Sequence, residues 1–308
     1  MLKQLSLITF ATFALGGCVL DESNDNTSDA DSQYSFALTM GDITKGVAQV
    51  SVQVTDNEGN ALPDSQISVT PLMNMTSGMK HGAPVSAHSG TLNPVDSLTN
   101  TGEFTTTAYF LMPSVMGDEP MGDWSIHVEF EGESQKFDVT VNMSTADVKR
   151  LSGGELDQNP ATDMNGDATM ESRTYYLFER TRMAMENMNS FEVFIAARED
   201  MMNYAAVSTD TLLNEGVVDA ELAITSVSVE MCNANQDCTV EDNWVMAMAV
   251  EGETGVYKAM NLGLVGDDSD EVEVRLNVNQ ALKTSNGEQN GLNARFTFDA
   301  TTDMPMVM

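Results

Sequence analysis

Between Pro71 and Pro84 the chain reads Pro-Leu-Met-Asn-Met-Thr-Ser-Gly-Met-Lys-His-Gly-Ala-Pro, so Met73, Met75, Met79 and His81 fall close together. Thioether sulfur is soft and polarisable and has no proton to lose. Together with a neutral imidazole it suits Cu(I), whereas carboxylates and carbonyls suit harder ions. Such a donor set also survives in an oxidising compartment, where thiolates are lost to disulfides. A second methionine-bearing run, Met112-Pro-Ser-Val-Met116-Gly-Asp-Glu-Pro-Met121, offers Met121 as a further donor, and His88 is a candidate to complete the set. The expectation is a three- or four-coordinate copper site. Because only the imidazole must be deprotonated, uptake is expected to fall modestly below about pH 6.

Other chemistry is poorly represented. The chain has no G-x-S-x-G, no H-E-x-x-H, no phosphate-cradling glycine loop and no C-x-x-C. Three histidines leave little for general-base work, so the expectation is a binding protein and not an enzyme. With 47 acidic against 14 basic residues the net charge is −33, which repels nucleic acid and anionic lipid and argues for solubility. Asp163-Met-Asn165-Gly-Asp167 resembles the first half of a calcium loop. Ala168 and Thr174 stand where that loop needs Gly and Glu, so it reads as linker polarity. The 23 methionines decide nothing by number, since Met is also an adaptable core filler.

The elements that must hold the site are strands. Val47 to Val54 alternates and is turned by Asp56-Asn-Glu-Gly-Asn60; Gln66 to Met75 returns, and Phe104 to Met112 is a third run. Trp124, Ile126, Val128 and Phe130 share one face, Glu131-Gly-Glu-Ser turns, and Phe137, Val139 and Val141 repeat the alternation. With a strand around Phe36 and Leu38, residues 34–145 fit an immunoglobulin-like β-sandwich. The parity of the Gln66–Met75 strand is the open question. Run straight, it puts Ile67, Val69, Met73 and Met75 on one face, and the two methionines are core. A bulge at Pro71 flips them, since proline favours edges and bulges.

The order Val-Gln-Val-Thr-Asp-Asn-Glu-Gly-Asn-Ala-Leu-Pro, then Met73-Asn-Met75, Met79-Lys-His81-Gly, Gly102-Glu-Phe and Met121-Gly-Asp-Trp124-Ser-Ile-His-Val resembles the YtkA-like family and the related FixH-type domains. The resemblance covers about a third of the chain. It implies a small exported or membrane-tethered β-sandwich with a Met/His loop and an association with copper handling. Carried over residue by residue, it implies Met73, Met75, Met79 and His81 as ligands, with Met121 as a contributor. The insertion from Ser86 to Asn100 departs from the family's more compact loop.

Upstream, Lys3, the apolar run Leu5 to Leu15 and Leu15-Gly16-Gly17-Cys18 read as an export signal over residues 1–17 ending in a lipobox. Cys18 is then lipidated, and Val19 after it favours the outer membrane, facing the periplasm. Residues 18–33, acidic and poor in apolar groups, form a tether of roughly 20 Å reach. Residues 146–172 read as a Gly/Asp/Asn-rich linker, and 173–300 as a second β-rich domain with helical stretches in Ala196 to Leu213. The Met304-Pro-Met306-Val-Met308 tail (301–308) closes the chain. Cys232 and Cys238 are expected to form a disulfide, the default in an exported protein. The whole reads as an all-β, lipid-anchored envelope protein that binds copper as a chaperone, buffer or resistance factor. The alternative is a metal-free pair of Ig-like domains that contacts another envelope protein.

Overall fold

The computed structural model describes residues 32–62, 64–92, 102–162, 167–185, 188–265 and 270–298. The export signal, Cys18, most of the tether, the Asp163–Asn165 half-loop and the C-terminal methionine tail lie outside the described residues.

Two immunoglobulin-like sandwiches follow one another, built from antiparallel strands. In the first, β1 (Tyr34–Met40), β2 (Val47–Asp56) and β6 (Glu103–Tyr109) form one sheet. The facing sheet has the order β10 (Glu133–Val139), β9 (Gly122–Phe130), β3 (Gln66–Met75), β4 (Lys80–Gly82), with β5 (Ser89–Thr91) also on β3. Period-two alternation sends Val50, Val52 and Val54 of β2 and Trp124, Ile126, Val128 and Phe130 of β9 into a common core. A short arm, β7 (Val115–Met116) and β8 (Glu119–Pro120), precedes β9.

Strand β3 runs without a bulge, pairing Ser68 through Met75 with Glu129 through Gly122. Of the two placements open to Pro71, a bulge or an edge, the strand takes the edge, and the reason is local. On the side of β3 away from β9, β5 covers Gln66–Ser68 and β4 covers Leu72–Asn74. Val69 donates to the His88 carbonyl on that side (2.5 Å), and Ala83 donates to the Pro71 carbonyl (3.2 Å). N–H and C=O of one residue point the same way, so the nitrogen of Pro71 faces the gap between β5 and β4, where no donor is needed. Proline occupies a local edge inside a continuous strand.

In the second domain, β11 (Val148–Ser152), β14 (Thr174–Met185), β15 (Met188–Arg198), β22 (Val256–Met260) and β21 (Met248–Ala249) form one sheet, with β16 (Tyr204–Ala206) on β15. The other sheet has β20 (Val245–Met246), β19 (Val227–Asn233), β23 (Glu271–Val278) and β24 (Ala281–Lys283), with β25 (Ala294–Thr297) on β23. Two ribbons, β12–β13 (Gln158–Thr162, Ala168–Ser172) and β17–β18 (Leu212–Leu213, Leu222–Ala223), flank them. Cys232 and Cys238 are joined across the loop that leaves β19.

Two expectations need correction. Residues 146–172 are no bare linker: Val148 and Leu151 dock β11 on β14, and β12 pairs with β13. Nor is Ala196 to Leu213 helical. Its first residues end β15, and Asp200 then caps a turn by accepting from the backbone N–H groups of Met202 (2.7 Å) and Asn203 (2.8 Å). That Asx-type turn sends the chain back as β16, and ladder pairing overrides helix propensity.

The sheet of β14 and β15 is buried on both faces. Tyr175, Leu177, Phe191, Val193 and Ile195 face the second domain's core. The alternate residues Tyr176, Phe178, Phe194 and Ala196 pack with Tyr109 and Leu111 of the first domain and Val148 and Val256 of the second. Tyr109 stacks on Phe194, with ring centroids 3.9 Å apart. At the end of this sheet lies a wholly buried guanidinium. Arg173 donates to Asp157 (2.8 Å), Asn214 (2.5 Å) and the carbonyls of Gln158 and Ala220 (2.8 Å each). Asp157 also accepts from Lys283 (2.7 Å) and Tyr175 (2.5 Å). Burial alone would push the Asp157 carboxyl up, but the Lys283 charge and the three donors outweigh it and hold it below the usual carboxylate range. Removing one member of such a cluster leaves an uncompensated buried charge. Arg173→Met is therefore expected to cost about 3–5 kcal/mol, read as a lower urea midpoint for the second domain's transition.

Candidate metal centre

The site begins as a hairpin. Met75, Thr76, Ser77, Gly78 and Met79 turn β3 into β4, with Gly78 at φ +84°, a conformation that favours glycine. The Gly78 N–H donates to the Met75 carbonyl and the Met75 N–H to the Met79 carbonyl, both at 2.9 Å. The ladder sets Met73 opposite His81, and the Met75–Met79 bond extends the same register by one pair. Positions two apart share a face of a strand, so Met73, Met75, Met79 and His81 all stand on one face of the hairpin.

Their burial differs steeply along that face. Met73 is 0% exposed in the first core, cross-paired with Trp124 on β9, and packs as a core residue. Met75 is half-buried against the same core, and Met79 is 53% exposed at the turn. Met121 is half-buried, and its carbonyl accepts from Thr76 at 3.0 Å, which brings the second methionine run to the hairpin turn. His88 does not join them. It lies exposed beside Val69, six residues from Met75 along β3 and so about 20 Å away. His127 projects from the opposite face of its strand, half-buried, with its Nε2 3.1 Å from the Ser125 hydroxyl.

His81 is 8% exposed because the second domain covers it. Its Nδ1 lies 3.3 Å from the Gly82 carbonyl and 3.2 Å from the Tyr204 hydroxyl. The tautomer with hydrogen on Nδ1 satisfies the carbonyl and leaves the Nε2 lone pair for a ligand, the usual way a hydrogen bond from the other ring nitrogen orients a metal-binding imidazole. Burial, followed by the positive charges of Arg198 and Arg150, lowers the His81 pKa and outweighs the Gly82 bond, which favours the proton. The ring is thus held neutral, the form that ligates. Among the described residues no group of three or more His, Cys, Asp or Glu side chains is arranged to hold a metal. Any centre here would therefore be one of thioethers and a single imidazole.

Sequence reasoning missed the contribution of the second domain. The Gly82 N–H donates to the Met201 carbonyl at 3.0 Å, and Gly82 itself sits against the Met202 carbonyl so closely that any Cβ would collide with it. Nothing in the local pattern announces Tyr204 as a neighbour of His81, which lies 123 residues away in sequence.

No protein-family model and no curated protein matches the chain. Among solved structures it is similar to FdeC, an Escherichia coli adhesin, at 14% identity and a TM-score of 0.23, over 85% of this chain and 64% of that one. It is also similar to invasin, a bacterial integrin-binding protein, at 11% identity and a TM-score of 0.24, over 85% and 63%. The chain thus spans just under two thirds of the length of either structure.

Two outcomes follow from this geometry. Gly82→Ala should force β4 and the Met201–Met202 turn apart, at a cost of roughly 1–3 kcal/mol. Hydrogen exchange should then quicken in β4 and β16 while β14 and β15 stay protected. The second outcome concerns pH. Since the folded pKa of His81 lies below its ordinary value of 6.5, the unfolded chain takes up the proton first as pH falls. The stability this residue contributes is complete above about pH 6.5 and declines as pH falls towards its folded pKa. Urea midpoints of His81→Gln measured between about pH 7 and pH 5 should fall less steeply than those of the parent; part of the slope remains because burial also lowers His127.

Proposed function

We propose that this chain is a copper-binding lipoprotein of the bacterial envelope, holding Cu(I) at the β3–β4 hairpin as a periplasmic chaperone, buffer or resistance factor. The supporting observation is the hairpin register, which aligns Met75, Met79 and His81 on one face with Met73 as a buried floor and Met121 beside the turn. Soft donors with one neutral imidazole match Cu(I) and discriminate against harder ions. The lipobox at Cys18 and the resemblance to the YtkA-like and FixH-type domains favour the same setting, with the lipid as the anchor, outer-membrane attachment facing the periplasm, and binding rather than catalysis as the role.

A second reading, a metal-free module that docks on another envelope protein, draws on the β7–β8 arm. Its Val115 and Met116 are each 49% exposed close to the hairpin turn. One titration separates the two. Cu(I) uptake against a colorimetric chelator should weaken by at least about tenfold, roughly 1.4 kcal/mol, in Met79→Leu/His81→Gln. Equal weak uptake by parent and variant would leave only the docking module.

A further inference from the structure

The second domain carries its own exposed thioethers. Residues Val245 to Ala249 form one extended segment that leaves the β19 sheet and joins the β22 sheet. Its hinge is Ala247, which is buried and donates to the Val229 carbonyl at 2.8 Å. Met246 and Met248 flank that buried alanine and therefore both project outward, at 53% and 70% exposure. The β21–β22 ladder pairs Met248 with Lys258 and Ala249 with Tyr257. Met260, two residues beyond Lys258 and 45% exposed, lies diagonal to Met248 in that ladder, and Met246 is two residues from Met248 on the same outward side. Diagonal Cβ atoms lie roughly 7–8 Å apart. Three flexible thioether arms thus share one outer patch.

Two charged groups beside the patch, Lys258 and Glu230, are engaged elsewhere. Lys258 reaches across to Glu192 on β15 at 3.7 Å, on the side of β22 away from Met248. Glu230, the ladder partner of Met246, pairs with Arg275 at 3.5 Å. Met246 accepts from the Ser228 hydroxyl at 3.7 Å, which lays its sulfur along the outer surface with a second lone pair still available. The three thioether sulfurs are the soft donors of this patch.

We infer that Met246, Met248 and Met260 form a second site for a soft monovalent cation, Cu(I) or Ag(I), coordinated by thioethers alone. Neutral thioethers satisfy a monovalent soft ion and compete poorly for Zn(II) or Ca(II). Because none of the three ligands titrates, binding here releases no proton and does not change with pH. The site does not depend on the hairpin centre, which contains an imidazole.

The test titrates the purified full chain with Cu(I), under reductant and against a colorimetric chelator, at about pH 5 and about pH 7.5. The parent is compared with Met246→Leu/Met248→Leu/Met260→Leu and with Met79→Leu/His81→Gln. Leucine conserves volume at exposed positions, and an unchanged melting temperature checks the fold. The triple variant is expected to lose one bound ion at both pH values, and the hairpin variant to retain that ion. Loss in the triple variant with none in the hairpin variant would sustain this site and remove the hairpin centre. Equal uptake by parent and triple variant would overturn the inference, as would a difference that vanishes at the lower pH.

Discussion

The stack of Tyr109 on Phe194 joins the two sandwiches, and much of the remaining architecture follows from it. Residues of β14 and β15 pointing one way complete the second core, and those pointing the other way meet the first domain. A sheet apolar on both faces cannot stand beside water, so the domains are obliged to dock. Docking in turn brings the Met201–Met202 turn and Tyr204 against β4 and buries the only histidine of the hairpin. The neutrality of His81 is thus a consequence of aromatic packing in a different part of the interface.

Within the first domain the organising constraint is register. A slip of one residue would turn Met73 and Met75 to solvent and carry Asn74 inward. The unbroken pairing of β3 with β9 prevents that slip, and Pro71 does not disturb it because its nitrogen meets a gap between two short strands. The same parity that makes Met73 a core residue aligns Met75, Met79 and His81 above it. Core and candidate ligand are successive positions on one face, separated by depth.

The buried Arg173–Asp157–Lys283 cluster serves the second domain in a comparable way. It ties the loop before β12 to the start of β14, the end of β24 and the turn at Asn214. A segment rich in Gly, Asp and Asn thereby becomes part of the fold. Its polarity looked like that of a linker because composition registers how many carboxylates are present and not which of them is buried against an arginine and a lysine.

By itself the sequence determined the class of the fold. Alternation in β2, β9 and β10 marked their inward faces, whereas the polarity of Val148 to Ser172 misled, since that segment holds paired strands. The unpunctuated run Tyr175-Tyr-Leu-Phe178 already carried the signal of a sheet buried on both sides. Which residue types could meet a soft metal was also legible, because softness belongs to the sulfur atom and needs no neighbour. Tertiary structure alone decided the depth of the described methionines, the isolation of His88, the partner of His81 and the exposure of Met246, Met248 and Met260. The reason is that register and docking are set by contacts between residues far apart in the chain, and a periodic pattern specifies which way a side chain points but not what it meets.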